Sequence, residues 1–465
     1  MAGIQDTVLV RSVDGYDDPR LATAIRELLE LDPETVTWMR EPDPGRLVVV
    51  KPNWVQESHL HRPDVWEPVI THPAVVLEVL ERVAHLMGGQ GTICMCDAPI
   101  TGADFEAITL RGGLKDRLSE LGKSYPRLKI ELLDLRREVW IVKEDVVVKR
   151  LKNPHDPRGY VSLDLGRDSL LYSFQGEGRY YGADYDAGVV NQHHDGEKQE
   201  YLLAGTPMAC DLFINLPKLK THKKTGVTCC LKNLVGINGD KNWLPHHTEG
   251  APSGGGDAFP AQTLGRTIEK TLKIPLYRMA LDMPVVGPWI LRKGRNVGKG
   301  LLGDSDRVIR NGNWEGNDTC WRMALDLNRT LLYGNMDGSW RQSGPKRYLA
   351  IVDGIIGGEG NGPLAPEPVE SRVLIGGINP AVVDATACRL MGIDPSVLPI
   401  VRHAFDRHRF PIATGSMEDI EVEDDRVGMR IRLGNVQPAV PGGFVPHFGW
   451  PSLRKPGADT LLPAT

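Results

Sequence analysis

From Phe213 to His247 the chain reads FINLPKLKTHKKTGVTCCLKNLVGINGDKNWLPHH. A mostly apolar run, Leu212 to Leu216, feeds a loop holding Lys218, Lys220, His222, Lys223 and Lys224 within seven positions; Lys232, Lys241, His246 and His247 follow. Cations and imidazoles gathered after a strand end suit an anionic ligand, a metal or proton transfer. His222 titrates near neutrality and can take or return a proton at a substrate atom; the alternative is a structural histidine bonded within its loop. Lys232 lies among Val227, Leu231, Leu234 and Val235. Burial there would lower its pKa and make it a base or nucleophile, whereas a snorkelling stem would leave it inert. Lys218 and Lys220 alternate on an extended segment, so both face one way, as a phosphate or carboxylate requires. Thr228 and Asn233 add polar groups on either side of Lys232. Lys223 and Lys224 read as solvated.

Other candidates stand at other predicted strand ends. Lys51, followed by Pro52 and Asn53, can hold an anion, and Asp97 ends a second strand. Asp353, Glu359 and Asn361 surround four glycines in six positions, Gly357 to Gly362. Such a run permits close backbone approach to a ligand or a mobile lid. His246 and His247 are adjacent and point oppositely on an extended chain, so one of them at most reaches a shared metal. A divalent ion at Asp353 or at this pair is the metal option. Asp384, on a helical face of small residues, reads as one half of a buried salt bridge.

The elements that must position these residues alternate. Thr7 to Val13 is a predicted strand and Pro19 to Leu31 a helix; Arg46 to Val50 is a β-branched run typical of a strand buried on both faces. Pro73 to Met87 follows as a helix with Thr71 as its cap, then the strand Thr92 to Cys96. Strand, helix, strand is a βαβ crossover, and open α/β sheets place ligands at the carboxyl ends of such strands. Leu128 to Asp134 reads as a strand, Glu138 to Leu151 as a charged hairpin or arm, and Gly178 to Gly205 as a surface loop. Gln262 to Met283 is helical, broken at Pro275. Tyr348 to Val352 and Val373 to Ile375 are strands, and Pro380 to Met391 is a helix. The expectation is an open, mostly parallel sheet flanked by helices, with a less regular helical or loop insertion and an α/β C-terminal part. Its parts are an N-terminal α/β lobe over 1–250, an insertion or arm over 251–345, an α/β part over 346–440 and an irregular tail over 441–465.

Bulk properties narrow the function. The 465 residues carry a formal net charge of −5, so whole-chain charge does not favour nucleic acid and the basic stretch must act locally. The N-terminus lacks the pattern of a signal peptide and no apolar run approaches a spanning helix, which places the expected home in the cytoplasm. The segment 284–302 mixes Trp289 and Leu291 with Arg292, Lys293, Arg295 and Lys299; contact with an anionic membrane is the minor reading beside an inter-domain arm. Seven cysteines are scattered, and neither Cys94/Cys96 nor Cys229/Cys230 has the two-residue gap of a zinc or cluster site. Core packing is expected for all seven, and an iron–sulfur cluster is not.

The motifs LVVVKPNWV, THPAVVLEVL, INLPKLKTHKKTGVTCCLKNLVGING, YLAIVDGIIGGEGNGP and INPAVVDATACRLMGIDP occur in the order seen in the domain-of-unknown-function family 362. The chain resembles that family from about Arg46 to Pro395, a resemblance that implies no settled activity. Many relatives carry a ferredoxin-like module with clustered CxxCxxC cysteines, which this sequence lacks. The block PKLKTHKKTGVTCCLKNLVG is remotely similar to the active-site block of the nickel-pincer lactate racemase family. His222, Gly226, Thr228 and Lys232 match its spacing, and His246 and His247 fall near its downstream metal-ligand histidine. In that family the lysine carries the cofactor and the histidine shuttles a proton. The likeness departs where that family has paired small residues before the lysine, here Cys229, Cys230 and Leu231, and it offers no counterpart of the second catalytic histidine. It implies a fold more than a cofactor. The expectation is an enzyme acting on a small carboxylated or phosphorylated substrate by proton transfer or isomerisation. His222 and Lys232 form its acid/base pair and Lys51, Lys218 and Lys220 hold the anion. The rival is a non-catalytic protein that holds an anion or cofactor, or serves its maturation, through the same cleft.

Overall fold

A computed structural model describes residues 7–143, 146–182, 187–261 and 308–454. Its frame is an 11-stranded mixed sheet. In chain order the strands are β1 (Thr7–Ser12), β2 (Leu47–Pro52), β3 (Gly91–Asp97), β4 (Leu128–Asp134), β5 (Leu212–Leu216), β6 (Lys218–His222), β7 (Gly226–Thr228), β8 (Arg347–Asn361), β9 (Ala365–Gly377), β10 (Glu421–Asp424) and β11 (Met429–Arg432). They lie in the order β11-β10-β1-β9-β8-β5-β2-β3-β4, with β6 on β8 and β7 on β6. The run β8-β5-β2-β3-β4 is parallel throughout, as expected of strands with both faces covered. All six residues of β2 are buried.

Alternate residues of each strand enter one of two cores. Val48, Val50, Ile93, Ile214 and Ile351 pack with the Arg20–Leu29 and Pro73–Leu86 helices. Val49, Cys94, Phe213, Val352 and Ile375 pack with the Cys320–Tyr333 and Pro380–Leu390 helices on the other face. All seven cysteines are free and buried. No described helix is long and apolar enough to cross a membrane.

One sheet therefore joins strands from the expected 1–250 and 346–440 parts, so these are not separate lobes. The described residues 308–345 supply the core helix Cys320–Tyr333 and do not stand off as an arm. The expected helix Gln262 to Met283 and the 284–302 segment lie outside the described residues. The expected loop over Gly178–Gly205 contains a helix, Ala187–His193, and a strand, Glu200–Ala204, which pairs with Tyr160–Asp164. The hairpin from Glu138 to Lys152 forms as expected. His72, not Thr71, caps the Pro73–Leu86 helix by accepting from Ala74 N. The Thr71 hydroxyl is occupied otherwise, donating to Leu216 O at 2.6 Å and accepting from Asn53 N at 2.8 Å.

The largest departure concerns the basic loop and the glycine-rich run. Both are strands. β8 continues for 15 residues through Asn361 and returns as β9, and the lysine segment lies beside it as β6. The glycines do permit a close approach, but to β6 itself. A Cβ on Gly358 would stand 2.9 Å from Pro68 O and 3.0 Å from Lys220 Cβ, and one on Gly362 would stand 1.9 Å from Thr221 O. Gly362→Ala must therefore push the hairpin tip off β6, and a loss of about 1–3 kcal/mol is expected in urea unfolding. Gly434→Ala, where a Cβ meets nothing within 4 Å, should leave the midpoint unchanged; equal midpoints for both variants would contradict this packing.

Candidate functional site

The parallel strands β2, β3 and β5 end together, and each delivers a polar residue to that edge. Lys51 of β2 is fully buried and its amine uses all three protons, on Asp97 Oδ1 at 2.8 Å, Pro52 O at 3.0 Å and Asn233 Oδ1 at 3.1 Å. Asp97 also accepts from Trp54 N at 2.7 Å and Ala98 N at 2.8 Å. The backbone of Gly236 roofs this pair, since a Cβ there would stand 1.9 Å from Asp97 Oδ1. Lys218, just past β5, pairs with Asp353 of β8 at 2.9 Å, both side chains fully buried. Tyr16 OH accepts from the Lys218 amine at 2.8 Å and donates to Asp353 at 3.0 Å. His72 N and Ile355 N complete the carboxylate. Three expectations are corrected by this geometry. Lys51 and Lys218 are neutralised by carboxylates and do not present free charge to an anion, and the Asp353 oxygens are engaged by four donors, which removes it as the metal ligand.

Lys220, Lys224 and Lys232 make no ion pair with a carboxylate among the described residues. Lys220 donates to Val69 O, Lys224 to Asn311 O and Lys241 to Val235 O. Lys232 is 7% exposed and makes neither a hydrogen bond nor an ion pair with any described residue. The Lys220 pKa falls well below the usual lysine value, through burial first and then through Lys218, Lys232 and Lys51. Burial lowers that of Lys232 as well, and that of Lys224 falls to about 8.

Two histidines complete this group. His222 Nδ1 accepts from Lys224 N at 3.0 Å and Thr225 N at 3.3 Å, so a neutral ring carries its hydrogen on Nε2. His246 Nδ1 lies 2.8 Å from Leu244 O, an acceptor only, so this ring donates from Nδ1 and keeps a lone pair on Nε2. Both pKa values lie well below the usual imidazole range, burial being the main cause and Lys232 the next in each. The rings are neutral and opposite in character: His222 offers a proton and His246 can receive one. His247 stacks on Tyr181 with ring centroids 5.2 Å apart, and Lys224 and His246 help burial to lower its pKa.

An amide relay orients one more polar atom. Asn215 Nδ2 donates to Cys230 O at 3.0 Å, which leaves its oxygen to accept from Asn233 Nδ2 at 2.7 Å. Asn233 Oδ1 then accepts from Asn53 Nδ2 at 2.9 Å, and Asn53 Oδ1 is left buried without a partner. The Thr228 hydroxyl is likewise buried and unpartnered. Thr228 faces Lys220 across the β6–β7 pairing. Unpaired polar atoms of this kind cost about 1–3 kcal/mol each, and a ligand is one account of why they are kept.

Of the remaining candidates, Glu359 accepts from Val445 N at 2.7 Å and fastens the C-terminal segment, while Asn361 is exposed at the end of β8. That segment covers the site: Trp450 Nε1 donates to Lys223 O at 3.0 Å, and His447 is 3% exposed with its pKa held at about 3 by burial and Lys223. Asp384 is no salt bridge; it accepts from Cys230 N at 2.8 Å and Leu231 N at 3.0 Å, capping the short helix that carries Lys232. His447, Trp450 and the capping role of Asp384 were missed by sequence reasoning. The tail lies more than two hundred residues from the loop it covers, and no local pattern marks such a contact.

The family model described as Domain of unknown function (DUF362) matches residues 178–389, and the resemblance carried by the motifs is shown over that span. It encloses β5 to β9 and every histidine and lysine of the group just described. No curated protein matches the chain. Among solved structures, the lactate racemase apoprotein from Thermoanaerobacterium thermosaccharolyticum is similar at 9% identity and TM-score 0.32, over 83% of this chain and 56% of that one. A structural-genomics protein from Thermotoga maritima is similar at 12% identity and TM-score 0.27, over 77% and 55%. This chain thus spans little more than half the length of either neighbour.

The Lys51–Asp97 pair gives a direct test. Asp97→Asn leaves a buried ammonium without a counter-charge and should cost about 3–5 kcal/mol in urea unfolding. Adding Lys51→Met to that variant should restore part of the loss. No recovery in the double variant would mean that the pair is not the source of the effect.

Proposed function

We propose that the chain is an enzyme that binds a small anion, carboxylated or phosphorylated, beside Lys220 and Lys232 and moves a proton on it. The observation that carries this reading is the buried group of Lys220, Lys224, Lys232, His222 and His246, whose lysines make no ion pair with a carboxylate among the described residues. Burial disfavours the charged form of each member, and an anion favours it. Coulomb attraction in a site of low effective dielectric raises each depressed pKa, so anion binding draws protons in. Lys51 and Lys218 keep a supporting role, since their paired carboxylates hold the floor of the site without adding net charge.

The acid/base assignment follows from the tautomers. The Lys232 amine, its pKa lowered by burial, can in its unprotonated form accept a proton from a substrate carbon or hydroxyl, and His222 Nε2–H can donate a hydrogen bond to the atom that gains negative charge. His246 Nε2 is a second acceptor for the same proton. Lys220 and the Thr228 hydroxyl serve as donors to the substrate anion, and Asn53 Oδ1, with its orientation set by the relay, accepts from a substrate O–H or N–H. Of the expected metal set, His246 keeps an Nε2 lone pair beside Lys232. The non-catalytic reading shares the binding half of this account and differs in having no turnover.

Two measurements separate them. Deuterium incorporation from D2O into a panel of short carboxylic acids and phosphate esters should occur with the native protein. It should fall about a hundredfold or more in His222→Gln and Lys232→Met. Calorimetric affinity for the same compound should change little in His222→Gln and fall about 10–100-fold in Lys220→Met. Binding of the panel without any exchange would favour the carrier. The second measurement is pH dependence. Because the free lysines and histidines have lowered pKa values, binding takes up protons; for Lys224, whose pKa in the empty protein is about 8, affinity should strengthen as pH falls toward about 8 from above and its contribution should level off below. Affinity that weakens over that range would contradict the assignment of these groups to the anion.

A further inference from the structure

The short helix bearing Lys232 begins at a cluster that the proposed reaction does not use. Cys229 Sγ, Cys230 Sγ and one oxygen of Asp384 lie within 4.8 Å of one another, and the three residues are 1%, 0% and 1% exposed. The Pro380–Leu390 helix brings Asp384 there from more than 150 positions away, and the adjacent cysteines both turn toward it. Neighbouring residues on an extended strand point apart. Here the chain turns from β7 into a helix at Cys229, whose φ of −158° and ψ of −147° lie outside helical space. That turn lets two consecutive thiols meet one carboxylate.

The carboxylate is free to act as a ligand. The other aspartates at 0–1% exposure, Asp326, Asp353 and Asp424, each hold an arginine or lysine within 3.1 Å. Asp384 holds none; its partners are the two backbone N–H groups and the two thiols. A carboxylate has about four acceptor positions, and the N–H groups take two. The positions filled by thiol protons are those a metal would take. No lysine or arginine needs to move, and the N–H donors would remain to orient the ligand, as outer-shell donors do in built metal sites.

We infer that Cys229, Cys230 and Asp384 form a site for one zinc-type divalent cation, apart from the lysine and histidine group. Two thiolates and a carboxylate oxygen suit a borderline-soft ion that accepts tetrahedral geometry. On binding, two S–H protons leave for solvent as two metal–sulfur bonds form, and no electron is transferred. The bound ion would pin the start of the helix and so fix Lys232, two residues beyond Cys230. Because the cluster is buried, the ion enters as the chain folds.

The test uses the full chain produced in medium supplemented with zinc or cobalt and then washed with chelator. Elemental analysis should give one equivalent per chain. The cobalt form should show a sulfur-to-cobalt charge-transfer band that is absent from Cys229→Ala/Cys230→Ala and reduced in Asp384→Asn. In denaturant the native protein should release its zinc to a chromogenic chelator, and only with that release should the last two of its seven thiols titrate. This last measurement needs no variant and stands even if the double substitution fails to fold. A folded, metal-free native protein with seven titrating thiols would overturn the site. Cobalt bound without a sulfur band would do the same, since it would place the ion elsewhere. Five titrating thiols with no metal would mean a Cys229–Cys230 disulfide and also refute it.

Discussion

Burying an amine without a counter-charge is the constraint around which this molecule is arranged. An ammonium removed from water loses several kcal/mol of hydration, which a protein recovers by pairing it or avoids by letting it lose its proton. The chain does both within a few residues. Lys51 and Lys218 are paired with Asp97 and Asp353, and these pairs tie β2 to β3 and β6 to β8. Lys220 and Lys232 make no ion pair with a carboxylate among the described residues, and their pKa values fall. The surroundings enforce this second state, because β8 and β9, the Cys320–Tyr333 helix and the C-terminal segment exclude water from above.

Much of the frame was legible. The β-branched runs at Arg46–Val50 and Tyr348–Val352, and the helices after Thr71 and Asn379, are set by local periodicity, and strands ending in Lys51, Asp97 and Asp353 placed all three at one edge. The sequence could not reveal which lysines are paired. Lys51 meets Asp97 46 positions on and Lys218 meets Asp353 across 135, and nothing near either residue distinguishes it from Lys220 or Lys232. The misreading of β6 and of the glycine-rich second half of β8 as loops has a physical source. Glycine and lysine are weak strand formers, but here the glycines are needed so that β8 can lie against β6, and the tertiary contact overrides propensity.

The histidines show the same limit in a finer form. Their presence was evident, but their tautomers depend on Lys224 N, Thr225 N and Leu244 O, contacts made only once the β6–β7 turn and the loop before His246 have folded. His246 and His247 are adjacent, and the chain still separates them: one keeps a free ring nitrogen near Lys232 and the other is spent in a stack on Tyr181. An adjacent pair of imidazoles therefore gave no information about which one the group uses.

Charge state, more than position, divides structural from functional lysines here. A lysine paired with a carboxylate in a closed site has one favourable protonation state, and an arriving anion would have to compete with a partner already in contact. A lysine whose pKa burial lowers can change its protonation when an anion arrives, and that change is what proton transfer requires. The same reasoning accounts for Asn53 and Thr228. Left without partners, the Asn53 oxygen and the Thr228 hydroxyl cost stability, and they come from the end of β2 and from the stretch between β6 and Lys232 that also carries Lys220. Paired groups at this edge hold the strands together, and the unpaired ones are the groups still able to respond to a ligand.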